Sequence, residues 1–344
     1  MKIYMAPMEG LTGYVFRKNY EKHFGRGRVD KYFIPFISPN KTDGYTARER
    51  EDILPENNKG VTAVPQIMAN NSVYFIRAAR MLAEMGYKEV NLNLGCPSGT
   101  VVSKFKGAGF LAKPDELDKF LYEVMSSPEI EGVDVSVKTR IGMESPEEFH
   151  YLLTIYNQFK FKEIIVHPRV RSDYYKNKPN LAAFEEALGY SENQVCYNGD
   201  IFTASDYTAF LEKFPEEKYS NMTGIMIGRG FVGNPLIIER IAEYEATGVS
   251  GENAHNSSGD GGGNGKQRIK RFCDDLLADY LEVLSGDINA LHKMKEVWEY
   301  LAGTFTGGQK ELKKIKKAQR VCDYRAAVDE FFYRAELKSE QRTA

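Results

Sequence analysis

Through the first 248 residues two hydrophobic periods take turns. Short apolar runs at 3–8, 31–38, 61–69, 89–94, 133–140, 162–167, 194–198 and 224–228 read as strands. Between several of them lie stretches with apolar residues at helical spacing, at 72–85, 114–125, 146–159, 204–214 and 234–247. Ser72 and Ser145 stand where N-caps belong. Eight strands alternating with helices in a stretch of this length predict an α/β fold, a (β/α)8 TIM barrel. A doubly wound open sheet is the competitor, but no GxGxxG follows the first strand.

After Thr247 the pattern changes. The string GVSGENAHNSSGDGGGNG, 248–265, cannot bury enough apolar surface to pack and predicts a linker over 249–265. From Lys266 onward strand signals vanish, and RIKRFCDDLLADYLEVL, ALHKMKEVWEYLAGTF and DYRAAVDEFFYRAEL read as helices. The expected organisation is a barrel over 1–248, the linker, and a small all-helical C-terminal domain over 266–344.

Composition narrows the function classes. A net charge of −2 over 344 residues gives no whole-molecule basic field, so a nucleic-acid partner would need a local patch. Residues 266–344 carry 16 Lys and Arg against 13 Asp and Glu, a net of +3. Within them KELKKIKKAQR, 310–320, sets Lys310, Lys313, Lys314, Lys317 and Arg320 on one helical face, with Leu312, Ile315 and Cys322 opposite. That face reads equally as an ordinary solvated surface or as an RNA contact. Cysteines at 96, 196, 273 and 322 form no CxxC pair, so neither a metal site nor a disulfide framework is indicated, and a cytoplasmic location is expected. No apolar stretch of about 18 residues occurs, so no membrane association is expected.

In a barrel of this kind chemistry sits at the carboxyl ends of the strands. Those ends deliver Ala6, Pro7 and Met8; Gln66; Asn91, Asn93 and Cys96; Lys138 and Arg140; His167 and Arg169; Asn198, Gly199 and Asp200; and Gly228, Arg229 and Gly230. In EVNLNLGCP, Val90, Leu92 and Leu94 alternate with Asn91 and Asn93, and glycine and proline then stop the strand, leaving Cys96 on a turn. Taken alone, Cys96 reads as a buried structural cysteine. NGD and IGRG at the last two strands have the composition of a phosphate site, although each is also an ordinary turn string. Lys138 needs an anionic or electron-rich partner, or a salt bridge to an acid such as Glu9. His167 could be a satisfied structural histidine, and Asp200 a helix cap.

The ordered set APMEGLTG, VPQIMA, NLNLGCP, VKTRIG, HxR, YNGDI and IMIGRGFVGNP resembles the tRNA-dihydrouridine synthase family over nearly the whole chain. The resemblance implies FMN at the carboxyl ends of the strands, reduced by NADPH. It places Ala6, Pro7, Met8 and Gln66 on the isoalloxazine, Lys138 at its pyrimidine edge and His167 beside the ring. Asn198, Gly199, Asp200, Gly228 and Arg229 would hold the ribityl chain and phosphate. It implies hydride delivery to carbon 6 of a tRNA uridine and a proton to carbon 5 from Cys96, with Asn93 seating the base. Lys313, Lys314 and Lys317 would grip the RNA backbone. The string HPRVRSDYY departs from the family's HGR or HAR, and Arg171 and Tyr175 in it are assigned to RNA. The glycine-rich stretch is longer than the family needs and would let two domains move. A monomer is expected. Two alternatives stay open: a flavin barrel acting on a free pyrimidine, of the dihydroorotate or dihydropyrimidine type, and a flavin-containing tRNA-binding protein without turnover.

Overall fold

The computed structural model describes residues 1–41, 44–247 and 263–338. Eight parallel strands close a barrel in chain order: β1 (Lys2–Met5), β2 (Lys31–Ile37), β3 (Ala63–Ile67), β4 (Glu89–Leu94), β5 (Asp134–Arg140), β6 (Ile164–His167), β7 (Val195–Tyr197) and β8 (Met222–Ile227). All eight expected strands are present, and the (β/α)8 barrel displaces the open sheet.

The helices in order are α1 (Tyr14–Tyr20), α2 (Ala47–Ile53), α3 (Ser72–Glu84), α4 (Gly99–Val102), α5 (Pro114–Met125), α6 (Glu148–Tyr156), α7 (Leu181–Tyr190), α8 (Ala204–Lys213), α9 (Arg229–Gly233) and α10 (Ile237–Thr247). They continue with α11 (Gly263–Val283), α12 (Asp287–Leu301), α13 (Gln309–Lys317) and α14 (Val321–Arg334). Both expected N-caps need correction. Asn71, not Ser72, caps α3, its side chain accepting from the Tyr74 N–H. Position N-cap of α6 is Glu147, and the neighbouring Glu148 carboxylate takes the N–H groups of Met143, Glu144 and Ser145. That carboxylate closes the turn leading into α6, and no side chain caps the helix itself.

The chain divides into two compact units, one of Met1–Pro7, Asp30–Asp200 and Phe214–Met226, the other of Met8–Val29, Ile201–Lys213 and Ile227–Ala344. The first holds the barrel strands up to Met226. Its interior is a cluster of Tyr4, Ala6, Phe33, Val64, Ile165, Cys196 and Met226, all buried.

The second unit joins the α1 segment to the C-terminal helices. Phe16 and Phe24 meet Phe272 of α11 edge-on at 5.7 and 5.3 Å, and Asn19 donates to Asp279. Trp298 of α12 packs against Phe331 and Phe332 of α14 and donates to the Tyr324 hydroxyl at 2.8 Å. Its backbone is not purely helical: Phe305–Thr306 (β9) pairs antiparallel with Glu336–Leu337 (β10). The expected linker lies mostly outside the described residues, and α11 begins at Gly263, inside the stretch read as linker.

The basic helix is shorter than expected. It ends at Lys317, and Arg320 becomes the N-cap of α14. Cys322 is therefore exposed in α14 instead of lying behind the lysines. Ile315 and Glu311 are the buried residues of α13.

Candidate active site

Strand β4 turns a polar face into the barrel, because Glu89, Asn91 and Asn93 share one side of the pleat while Val90, Leu92 and Leu94 are fully buried on the other. The register sets Asn91 opposite Ser136 and Asn93 opposite Lys138. A hydrogen-bonded chain results. The Ser136 hydroxyl donates to Glu89 at 2.7 Å, Asn91 donates to Ser136 at 2.9 Å, Gln66 donates to Asn91 at 2.8 Å and Asn93 donates to Gln66 at 2.7 Å. Its polarity is dictated from one end. An ionised carboxylate can only accept, so Ser136 must donate to it, and every amide upstream is turned the same way. At the far end the Asn93 Oδ1 is left to accept the N–H groups of Gly95 and Cys96, both at 3.0 Å.

The acceptor end is anchored in turn. Lys31 lies 2.7 Å from Glu89 and 2.6 Å from Glu163, and Thr223 donates to Glu163 at 3.1 Å. Burial opposes the Lys31 charge, but Glu163 and Glu89 overcome it and raise its pKa. Tyr4 is pushed far up by burial, with Glu163 adding to the effect, and stays neutral.

Three further contacts fix the thiol's turn. The Arg140 Nε donates to the Gly95 carbonyl at 3.0 Å, while its terminal nitrogens reach the carbonyls of Val170 and Tyr174, both at 2.8 Å. Burial pulls the Arg140 pKa down from its ordinary value, with Arg169 adding to it among the other charges. The Ala108 N–H donates to the Cys96 carbonyl at 3.0 Å. Gly107 lies against the cysteine itself, at φ +55°, and a β-carbon there would fall 2.9 Å from the Cys96 carbonyl oxygen. No side chain fits without moving Cys96, whose own side chain is part-exposed.

Lys138 stands in register with Asn93. Its amine forms no hydrogen bond or ion pair among the described residues, so the expected alternative of a salt bridge is not what holds it. Burial first, and the charge of Arg140 second, lower its pKa to about 8 against the opposing influence of the thiols of Cys196 and Cys96.

At β6, buried Arg169 forms a two-pronged ion pair with Asp200, 2.9 Å to Oδ1 and 2.5 Å to Oδ2. The same guanidinium lies 3.1 Å from the His167 Nε2. A guanidinium has no lone pair to offer, so Nε2 accepts and the imidazole proton sits on Nδ1. Tyr175 lies 5.8 Å from the His167 ring and 5.6 Å from the Arg140 guanidinium. The structure thus brings together Tyr175, His167 and Arg140. Arg171 instead donates to the Tyr174 hydroxyl at 3.1 Å.

Of the remaining expected residues, Ala6, Gln66, His167 and Asn198 are buried, whereas Pro7, Met8, Gly199, Asp200, Gly228 and Arg229 are half-buried. The Asn198 amide donates to the Met226 carbonyl at 2.8 Å. In the second unit, Gly228 precedes α9 and Arg229 opens it, its guanidinium 5.1 Å over the Phe202 ring. A β-carbon on Gly230 would sit 2.1 Å from the Ile201 carbonyl oxygen, so that glycine of the GRG string is required by backbone packing. Arg140, Arg169, Glu89 and Ser136 also hold the site together, and their period-two spacing from Lys138, His167 and Asn91 is the sequence signal that finds them.

A parallel barrel that gathers a thiol, an unpaired amine and a one-way amide chain at the strands' carboxyl ends is a (β/α)8 enzyme. Its family follows from sequence: residues 4–332 match the family described as dihydrouridine synthase (Dus), and the chain belongs to that family of oxidoreductases. The tRNA-dihydrouridine synthase B of Pasteurella multocida (strain Pm70) is 29% identical over 240 residues, covering 69% of this chain and 67% of that one. A probable tRNA-dihydrouridine synthase of Staphylococcus aureus (strain COL) is 28% identical over 339 residues, covering 95% of this chain and 92% of its own. Among solved structures, morphinone reductase superposes with a TM-score of 0.46 at 12% identity, covering 70% of this chain and 85% of that one. No helix among the described residues is long and apolar enough to cross a membrane.

Proposed function

We propose that the chain reduces a specific uridine of tRNA to 5,6-dihydrouridine, with FMN bound at the carboxyl ends of the strands and NADPH as its reductant. The observation that carries this reading is the Lys138 amine, part-buried and without a protein partner among the described residues, in register with Asn93 on the strand that leads to Cys96. An ammonium so placed fits the electron-rich pyrimidine edge of a flavin. FMN, when bound, would supply the hydride for uracil carbon 6.

The other tasks fall to the chain's own residues. Ala6, Pro7, Met8 and Gln66 would line the ring site, with His167 beside it. Asn198, Gly199, Asp200, Gly228 and Arg229 would hold the ribityl chain and phosphate; with Asp200 paired to Arg169, the net charge offered by that pair is near zero and does not repel an anion. Cys96 would hold the proton for uracil carbon 5 as a general acid. Asn93 has committed its oxygen to the Gly95–Cys96 turn and one N–H to Gln66, which leaves its second N–H for a uracil oxygen. Residues 266–344 would grip the RNA backbone through Lys313, Lys314 and Lys317, and Arg171 and Tyr175 would meet it near the base.

The test is incubation of the flavin-loaded protein with NADPH and unmodified tRNA, followed by digestion and mass spectrometry. Dihydrouridine in the digest is the expected result. Turnover of free uracil or dihydroorotate with none in tRNA would replace this reading by a free-pyrimidine dehydrogenase. Binding of tRNA without NADPH oxidation would replace it by an RNA-binding protein.

A further inference from the structure

The loop that backs the thiol carries an aromatic side chain that the core does not use. Phe105 is 46% exposed and sits at φ +50°, a region that bulky residues avoid. The loop around it is well tied down: Asn70 donates to the Lys104 carbonyl at 3.0 Å, the Lys106 amine reaches the Ser38 hydroxyl at 3.3 Å, and the Phe105 N–H bonds the Val102 carbonyl. Ser38 and Asn70 lie just past the carboxyl ends of β2 and β3, so residues 104–106 reach over the face where Cys96 stands. Burial and the charge of Lys104 both lower the Lys106 pKa, which marks two like charges held close together. The Lys113 amine caps the Phe105 ring at 4.8 Å and is itself paired with Glu116. The ring is thus exposed, held in a disfavoured backbone conformation, and flanked in sequence by Lys104 and Lys106.

We propose that Phe105 is a stacking platform for an unpaired base of the RNA substrate, with Lys104 and Lys106 taking the phosphates that flank it. This rests on the tRNA reading above and adds a subsite to it. The chemistry fits an unstacked nucleotide: every base has a π-face, stacking tolerates any sequence, and the neighbouring ammonium groups match a backbone charge on either side. A base extruded into the site leaves its neighbours without one stacking partner, and an aromatic ring beside the thiol's turn replaces it.

The protein has a single tryptophan, Trp298, which is fully buried, so Phe105→Trp adds an exposed reporter. Unmodified tRNA should quench the fluorescence of flavin-loaded Phe105→Trp, while inorganic polyphosphate, which offers charge without bases, should not. In filter binding at fixed salt Phe105→Ala and Phe105→Leu should each bind unmodified tRNA roughly 5- to 150-fold more weakly than wild type, and Phe105→Trp should match it. Lys104→Ala and Lys106→Ala should each reduce the slope of log affinity against log salt by about one. Binding by Phe105→Ala equal to wild type, full rescue by leucine, or no quenching at saturating tRNA would each overturn the platform. Wild-type protein that neither binds nor modifies tRNA would remove the parent reading as well, so the two failures are distinct. Melting curves for each variant separate lost stacking from a lost fold: weaker binding that tracks a lowered Tm, and that tryptophan does not restore, also overturns it.

Discussion

Asn93 holds Cys96 by its backbone: the Asn93 Oδ1 accepts the Cys96 N–H at 3.0 Å, and the same oxygen takes the Gly95 N–H. The side chain that would touch the base is therefore also the one that positions the thiol's turn. Asn93→Ala should cut dihydrouridine formation by roughly 5- to 150-fold, the range for an N–H left without its acceptor at about 1–3 kcal/mol. Asn93→Asp keeps the acceptor but turns a second oxygen on Gln66, so it should recover the thiol's placement only in part. Single-turnover rates with reduced flavin measure both.

Cys96→Ala should leave flavin binding and its reduction by NADPH intact while product formation falls by about 10²–10⁴-fold, the usual range for loss of a general acid. Stopped-flow absorbance follows the first and mass spectrometry the second. Flavin loss in parallel with product loss would assign Cys96 a structural part only.

Lys138 gives a pH test with a definite sign. Its folded pKa of about 8 lies below the ordinary value of 10.5, so between those two the unfolded chain binds more protons and stability rises with pH. Below pH 8 the flavin-free protein bears the full penalty of a buried ammonium. Lys138→Met should then stabilise the flavin-free protein at pH 7 by about 1–3 kcal/mol after allowance for solvent screening, with the difference fading as pH approaches 10.5. The same variant should bind FMN poorly. Urea denaturation across pH 6.5–10.5, with and without FMN, checks both halves.

Lys31→Met should destabilise the first unit by about 3–5 kcal/mol, because it leaves Glu89 and Glu163 buried without their shared cation. Urea midpoints measure this. Any drop in product formation at low urea would report on the Glu89 end of the amide chain.

On α13 the lysines are not equivalent. Lys314 lies 2.5 Å from Glu330, whereas Lys310, Lys313 and Lys317 are exposed and form no ion pair among the described residues. Lys313→Glu and Lys317→Glu should each flatten the salt dependence of tRNA binding by at least one unit of slope, and Lys314→Glu by less. Equal slopes for all three would return the helix to an ordinary solvated face.

The barrel was legible in the sequence because a buried parallel strand is a short apolar run, and such runs need no long-range information to be seen. The strand-end residues were legible for the same reason: once the strands are placed, their carboxyl ends follow. What was not legible is pairing. Nothing in EVNLNL says that Asn91 meets Ser136, because that register depends on how two strands 45 residues apart align. The caps of α3 and α6 differ from the expectation because a serine is favoured by type, while Asn71 has the reach to cap α3 and α6 has no side-chain cap at all. Cys322 was placed on the wrong face because the helix ended at Lys317, and a period extrapolated past a helix end points nowhere. Phe105 gave no signal, since a single aromatic in a polar loop looks like any other.

The Arg140 clasp has a consequence for how such a site can change over time. Its three hydrogen bonds go to main-chain carbonyls, those of Gly95, Val170 and Tyr174, while its guanidinium also lies 5.6 Å from the Tyr175 ring. Side-chain substitutions at Val170 and Tyr174 keep the carbonyls that Arg140 uses, whereas one at Tyr175 removes a ring that faces it. A change confined to the side chains at 170 and 174 therefore leaves the thiol's turn tied to the same guanidinium.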